Sequence, residues 1–280
     1  KREATPIKDF LDTDTICVDV YTDQEEVRNV FRKNDLIVVP VVDENMVLLG
    51  RITADRVIEV AEEEAAEDIY AMAGTDATEL ENISVIHAAR VRMTWLMPCL
   101  VGTAVTAVVY LIFKNLFNNV DLLPVYMTAI AFAPMIAAIS GNAGLQTSAI
   151  VVSGLATGDL AALRISQVFA REVRIAFFVA LSCGIIGGLI CGFLPGLLQN
   201  YSESGAIPHT LEFSKQVKIV IAFTMAMFSA IIVSTTLGLF LPFLFKRINI
   251  DPAISSGPLV TTANDSISVA IYLTLALVFT

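Results

Sequence analysis

Asp265 stands at the head of an apolar run that continues to Thr280, directly after the polar pair Thr261-Thr262 and the dipeptide Gly257-Pro258. An acid on a membrane-spanning helix costs at least about 2.5–3.5 kcal/mol on insertion scales, so it normally faces a bundle interior or a water-filled path. A carboxylate in such a path attracts cations. We therefore expect Asp265 to handle a cation within the bilayer, and the chain to be a cation conductor.

A second set of carboxylates lies in residues 57–89, which hold nine acids and no lysine or arginine. On a helix, five of these acids would form adjacent i, i+4 stripes: Glu59, Glu63, Glu67, Glu64 and Asp68. Like charges at that spacing repel by about 0.2–0.5 kcal/mol per pair. Divalent cations would relieve the repulsion, since carboxylate oxygens are ligands that Mg²⁺ prefers. The alternative is a solvated acidic helix that keeps the chain soluble.

The composition places these acids in a membrane protein. The 280 residues are 55% hydrophobic and only 16% charged, and the mean hydropathy is +0.70. Residues 1–92 are mixed and charged, whereas residues 93–280 are largely apolar. The four cysteines lack metal-ligand spacing and are expected to pack as small hydrophobes. The net charge of -10 disfavours nucleic-acid binding.

Five apolar stretches approach or exceed the roughly 20 residues needed to cross a bilayer. They are about Thr94–Phe117, Leu123–Leu155, Ile175–Leu198, Val217–Phe245 and Ile254–Phe279. The second and fifth are interrupted, by Gly141-Asn142-Ala143-Gly144 and by Gly257-Pro258. Broken backbone at membrane depth is tolerated only where protein or a cavity satisfies it, so both predicted breaks are pore candidates. Alternatively, these residues are simply common in spanning helices.

Positive charges in the short loops predict the orientation. Arg164, Arg171 and Arg174 fall between spans two and three, and Lys246-Arg247 between spans four and five. The opposite loops carry fewer. We therefore expect these loops and the N-terminal part to lie in the cytosol, and the C-terminus to lie outside the cell membrane.

The first 56 residues are predicted to form a small α/β unit. Ile16–Val20 alternates like a strand, Thr22–Glu25 is a capping box that opens a helix, and Ile37–Val42 and Met46–Leu49 are two further strands. The run from Asp35 to Thr53 resembles a cystathionine-β-synthase-type (CBS) regulatory module. Such modules normally pair in tandem, so the chain is expected to start partway through a longer protein. ATP is a candidate ligand of such a module.

The membrane part resembles the MgtE family of magnesium channels and transporters. The resemblance is carried by Pro134, Gly141–Thr147, Gly154–Leu160, Val57–Asp68, Asp251–Ala253 and Gly257–Thr262. It extends over nearly the whole chain and divides it into a CBS-type module at 1–56, an acidic connecting or plug helix at 57–92, and a five-helix transmembrane pore domain at 93–280. The fold class is accordingly a multi-pass α-helical membrane protein with a partial α/β module.

The resemblance implies a homodimer whose pore lies at the dimer axis and is gated by cytosolic Mg²⁺. Asp265 matches the pore aspartate that receives hydrated Mg²⁺, and Thr261 lies one turn before it, where the family uses a backbone carbonyl. Asn142 is placed to offer an oxygen to the hydrated ion. The gating ligands would be Glu59, Glu63, Glu67 and Asp68. Gly257 departs from the family pattern, which has a polar asparagine there.

Other function classes were weighed against these residues. A proton-coupled or ion-coupled carrier also places an acid in the membrane, but the spans as predicted contain no second acid or histidine for a relay. No nucleophile-and-base pair or His-rich metal site suggests an enzyme. A purely structural membrane anchor would leave Asp265 unexplained. Mg²⁺ suits a single acid because it keeps several waters, whereas Ca²⁺ takes six to eight oxygens.

Overall fold

A computed structural model describes residues 15–75, 84–117, 122–157, 160, 165–199 and 213–279. Outside these ranges lie three of the nine acids of residues 57–89 (Asp76, Glu79 and Glu81), two residues of the run Gly154–Leu160 (Gly158 and Asp159), and Arg164. The chain divides into two compact units, Lys1–Glu67 and Asp68–Thr280. We describe each unit by itself.

The smaller unit is a three-stranded sheet with helices. Strands β1 (Val18–Asp19), β2 (Val38–Val42) and β3 (Leu48–Thr53) lie in the order β1-β2-β3, with β1 parallel and β3 antiparallel to β2. Helix α1 (Gln24–Asn34) closes a small apolar core that contains Phe31 and Val39. The predicted helix and the first two strands are confirmed, whereas β3 lies at Leu48–Thr53 and overlaps the predicted Met46–Leu49 only at its start. The helix cap is Asp23 rather than Thr22, because the Asp23 carboxylate accepts the Glu25 N–H at 2.9 Å.

Helix α2 (Ala54–Ala73) follows β3 and buries none of its residues. The boundary between the two units falls within it, so its acidic first part belongs to the smaller unit and its last turns to the larger one. Its mixed composition fits this exposure. The predicted module and connecting-region boundaries stay a prediction.

The larger unit contains five helices that are long and apolar enough to cross a membrane. They are α3 (Val85–Leu116), α4 (Leu123–Ala156), α5 (Ile165–Gln199), α6 (Phe213–Arg247) and α8 (Pro258–Phe279), the last preceded by the short α7 (Pro252–Ser256). The predicted five spans and the multi-pass helical fold class are confirmed. Several helices begin well before the apolar stretch that revealed them, as α5 does at Ile165 instead of Ile175.

The core of the larger unit lies where α4, α6 and α8 meet. Phe223 of α6 and Tyr272 of α8 pack edge to face, with ring centroids 5.6 Å apart, beside the buried Ile136 of α4. Helix α5 packs on α6, and α3 packs on α8. Three of the five spanning helices therefore surround α8 directly and position its polar residues.

The predicted break at Gly141–Gly144 is wrong, because α4 runs without interruption from Leu123 to Ala156. A side chain at Gly144 would overlap the Ser234 hydroxyl, and one at Gly238 would overlap the Gly144 carbonyl oxygen. Residues without side chains let helix backbones approach closely in membranes. The glycine at 144 therefore serves the contact between α4 and α6 rather than a break.

The predicted break at Gly257-Pro258 is present, between α7 and α8. Gly257 has φ -84° and ψ -110°, outside the helical region, and α8 begins with Pro258. Proline lacks the N–H that would continue the helix and restricts the residue before it. The break places the first turn of α8 beside the last turn of α2.

Candidate cation site on helix α8

The site is built on two neighbouring stripes of α8. Val260, Asn264 and Ser268 are buried at i, i+4 spacing. The next stripe, Thr261 and Asp265, is partly exposed. Thus α8 buries one polar stripe and leaves the acid on the adjacent face, where an ion from water could reach it.

Asp265 lies beside Gly141 of α4. A Cβ at Gly141 would stand 3.5 Å from Asn264 Nδ2, 3.8 Å from Thr261 Cγ2 and 4.0 Å from Asp265 Oδ1. The missing side chain therefore lets the backbone of α4 lie close to the carboxylate. Within the described ranges, no hydrogen bond or ion pair holds the Asp265 carboxylate. Because Asp265 is also partly exposed, this acid can accept water or a hydrated cation.

The hydroxyl of Thr261 is used locally. It donates to the carbonyl of Pro258 at 3.1 Å and to that of Gly257 at 3.4 Å, so carbonyl and hydroxyl oxygens collect at the start of α8. Asn142 is exposed on α4, one residue past Gly141. The structure brings Gly141, Thr261 and Asp265 together. Asn142 follows Gly141 in sequence, and its place in the site stays a prediction.

Gly257, four residues before Thr261, packs against the last turn of α2. A side chain there would overlap the Met72 carbonyl oxygen, so the last turn of α2 approaches the break directly. A Cβ at Gly74, whose φ is +76°, would stand 3.1 Å from Pro258 Cγ and 3.4 Å from Trp95 Cβ. The glycine at 257 thus permits a backbone contact between the end of α2 and the start of the α8 break.

A second acid lies on the spanning helices, contrary to the expectation that there is none. Glu172 lies before the predicted third span, Ile175–Leu198, but α5 starts at Ile165 and includes it. Glu172 is 3% exposed, and no hydrogen bond or ion pair to it is found in the described part of the chain. Since α3, α4, α6 and α8 add only Asp265, the described spanning helices carry two carboxylates.

The acids of α2 have arginine partners from outside the acidic run. Arg56 Nη1 lies 2.8 Å from Glu59 Oε2 and 3.8 Å from Glu63 Oε1. The hydrogen bond to Glu59 and the charge of Glu63 raise the pKa of the Arg56 guanidinium. Glu59 and Glu63 remain 61% and 66% exposed. The stripe is therefore partly neutralised at its first turns, a feature hidden from a count that begins at Val57.

The described residues form no ready-made metal cage. Among the residues that the structure describes, no group of three or more His, Cys, Asp or Glu side chains is placed to hold a metal ion. A site built on Asp265 would therefore contact its ion mainly through water. Sequence reasoning missed Asn264, Ser140 and Ser268 around it, although the spacing of Asn264 and Ser268 beside Asp265 could have revealed them.

Comparison with known proteins shows the family of this chain. The family model MgtE, described as divalent cation transporter, matches residues 133–275, which include Gly141, Glu172 and Asp265. The chain belongs to the MgtE family. The matched part contains both the glycine-marked α4 and the acid of α8, so the residues that form the site fall inside the family region.

Three relatives named "Magnesium transporter MgtE" match nearly the whole chain. Those of Bacillus subtilis and Enterococcus faecalis are 30% and 32% identical over 275 residues, which cover 98% of this chain and 55% of each relative. That of Thermus thermophilus is 30% identical and covers 97% of this chain and 55% of its own length. The chain thus spans about half the length of these MgtE relatives.

Proposed function

We propose that this chain transports Mg²⁺ across the cell membrane and that Asp265 receives the hydrated ion. The observation that carries the proposal is a partly exposed carboxylate that lies beside Gly141 and has no hydrogen bond or ion pair within the described ranges. The MgtE relatives are named magnesium transporters, which supports the choice of ion. Transport rather than catalysis is the activity that the family supports.

The chemistry of Mg²⁺ fits one acid per subunit. This cation dehydrates reluctantly and is usually held by one or two carboxylates while it keeps several waters. Waters of the ion would donate to the Asp265 carboxylate, and the Thr261 and Asn142 oxygens would accept from the same shell. A homodimer with the pathway on its two-fold axis would supply two such carboxylates.

The charges on the membrane helices support an orientation with the N-terminal part in the cytosol. Helices α5 and α6 run antiparallel, since Gly184 lies by Thr224 and Gly192 by Gln216. Arg171 and Arg174 near the start of α5 and Lys246-Arg247 at the end of α6 therefore lie at the same end of the bundle. By the positive-inside rule that end faces the cytosol.

The proposed gate is the acidic face of α2. Glu59, Glu63, Glu67 and Asp68 would bind cytosolic Mg²⁺ and favour a closed pathway, which gives feedback inhibition. The ion can shift the gate only by its differential affinity for the closed form. The approach of the Met72 carbonyl to Gly257 supports a connection between the end of α2 and the α8 break. Residues 1–56 would act as a CBS-type module with ATP as a candidate ligand.

The experiment that tests the proposal is Mg²⁺ flux into liposomes. Asp265→Ala removes the receiving carboxylate, and Asp265→Asn keeps its shape without the charge, so both should lose most of the flux. Because Asp265 is partly exposed and has no hydrogen bond or ion pair in the described ranges, neither change should create a packing defect, and both variants should fold and assemble as wild type does. Wild-type flux through Asp265→Ala would show that the ion does not depend on this acid.

A further inference from the structure

A buried hydrogen-bonded cluster joins α8 to α4 directly beside Asp265. Asn264 Nδ2 donates to Ser140 Oγ at 2.8 Å and to the Ala137 carbonyl at 3.3 Å. The Ser268 hydroxyl donates to Asn264 Oδ1 at 2.9 Å and lies 3.0 Å from the Ser140 hydroxyl. Asn264, Ser140 and Ser268 are all 0% exposed. The amide therefore uses both of its donors and its acceptor in an otherwise apolar interface.

The opposite side of α8 is held as well. The Ser266 hydroxyl lies 2.7 Å from the Thr106 hydroxyl and donates to the Gly102 carbonyl at 3.3 Å, both on α3. Successive residues of a helix are separated by about 100°. Asp265 is flanked in sequence by one residue bonded to α4 and one bonded to α3. Its side chain must therefore leave α8 between these two helices.

Hydrogen bonds between α8 and α4 restrict rotation of α8 about its own axis more strongly than apolar packing would. Apolar packing is non-directional, so a purely apolar stripe would tolerate several rotations of the helix. A buried amide satisfies its donors and acceptor only in the rotation that faces its partners, and leaving them unmade is unfavourable. Rotation of α8 would break the hydrogen bonds that the buried Asn264 amide makes to Ser140 and Ala137 of α4.

We propose that Asn264, held by Ser140 and Ser268, is a positioning residue that fixes the rotation of α8 and so keeps Asp265 beside Gly141, between α4 and α3. The consequence for transport rests on the proposed function. The geometric consequence does not, because the direction of the side chain at position 265 can be measured without any ion.

The test is the accessibility of position 265. The full chain carries Asp265→Cys, with Cys99, Cys183 and Cys191 replaced by alanine and Cys17 of the smaller unit kept as an internal reference. The rate of modification by a charged methanethiosulfonate reagent is then measured with and without Asn264→Leu. We expect Asn264→Leu to slow the reaction at position 265 by about tenfold, the effect of losing roughly one buried hydrogen bond, with Cys17 unchanged.

Two further variants keep the test decisive. Ser140→Ala removes the partner hydroxyl and leaves Asn264 its bond to Ala137, so it should slow the reaction less, and it decides the matter if Asn264→Leu does not fold. Thr274→Val is the matched control, because the Thr274 hydroxyl bonds only the Ala270 carbonyl of its own helix, at 2.7 Å. It should leave the rate unchanged.

Equal rates at position 265, within about twofold, in folded Asn264→Leu or Ser140→Ala and in the parent would overturn the proposal. The flux test separates this outcome from failure of the proposed function. Slowed modification together with wild-type flux in Asp265→Ala would mean that Asn264 aims a residue the ion does not use. Unchanged modification together with lost flux would mean that Asp265 acts without this positioning.

Discussion

The two carboxylates of the spanning helices are placed in opposite ways. Asp265 lies in the second turn of α8, partly exposed, beside Gly141. Glu172 lies near the start of α5 and is 3% exposed, on the face that also buries Val168 and Ala176. An acid in a spanning helix is costly wherever it stands. The difference shows that accessibility, rather than the presence of an acid, selects the candidate for ion transport.

Two acids of α2 are more exposed than either carboxylate of the spanning helices. Glu59 and Glu63 are more than half exposed and share Arg56. Exposed ion pairs contribute only about 0–1 kcal/mol, so such a pair can exchange its arginine for a metal ion at little cost. Three degrees of burial thus suggest three roles: an exposed sensor, a partly exposed ion receiver and a buried acid outside the pathway.

The largest effect is expected from Gly144→Leu, because this substitution disrupts the packing of α4 against α6 and α8, the helix that carries Asp265. A side chain at Gly144 would stand 2.9 Å from the Ser234 carbonyl oxygen and 3.1 Å from Val260 Cγ1. Overpacking of this kind costs about 1–3 kcal/mol, and contact with backbone puts Gly144→Leu near the upper end. Thermal unfolding in detergent should show the loss. Gly50→Leu is the control, because nothing lies within 4 Å of a Cβ there; equal destabilisation by both would contradict the packing role.

A smaller and more specific effect is expected at Gly141. Alanine fits there, since its Cβ would make ordinary contacts of 3.5 Å or more, whereas leucine would fill the space in front of Asp265. We expect Gly141→Leu to reduce Mg²⁺ flux at least about tenfold, equivalent to roughly 1.4 kcal/mol of added barrier. Gly141→Ala should keep most of the flux. If both variants transported like wild type, the ion would not pass beside Gly141.

A several-fold effect is expected for the sensor. Glu63→Gln with Glu67→Gln should make protection of α2 against limited proteolysis less dependent on Mg²⁺, because two ligands are lost. Glu44→Gln, an exposed acid in the turn of the smaller unit, is the control and should not alter the dependence. The gate proposal fails if cleavage of α2 is the same with and without millimolar Mg²⁺ in wild type and variant alike.

The smallest effect is expected for Glu172→Gln. If one carboxylate per subunit serves the ion, flux should stay within about twofold, as for a site that is energetically independent of Asp265. Stability should be kept or increased, since the change removes a buried acid that the described residues do not pair. A loss of flux as large as that of Asp265→Ala would instead make Glu172 a second acid of a relay and favour the coupled carrier.

Hydropathy predicted the five spans but not their ends. The membrane requires about 20 apolar residues, and a helix continues beyond them wherever the flanking residues permit. Helix α3 begins at Val85, before the predicted Thr94, and α5 at Ile165, before Ile175. Glu172 was missed for this reason, because it lies on the helix but outside the apolar stretch.

The two glycine motifs show why breaks are harder to predict. Glycine inside a helix costs only about 1 kcal/mol relative to alanine, so close packing of α4 on α6 can outweigh it at Gly144. Proline alone does not decide either, since α4 contains Pro134 without interruption. Gly257 adopts a non-helical ψ directly before Pro258, beside the Met72 carbonyl. That neighbour is a tertiary contact, which no local pattern contains.

The measurement that tests the central claim most directly is the location of a divalent ion by Mn²⁺ anomalous scattering from crystals of the protein. An ion that keeps its water shell should give a peak about 4 Å from the Asp265 carboxylate oxygens, because a metal–water contact of about 2.1 Å and a water–carboxylate contact of about 2.7 Å meet at an angle at the shared water. The peak should lie on a two-fold axis between subunits and disappear in Asp265→Asn. A peak of unchanged height in Asp265→Asn, or a peak at Glu172 and none at Asp265, would contradict the claim that Asp265 receives the ion.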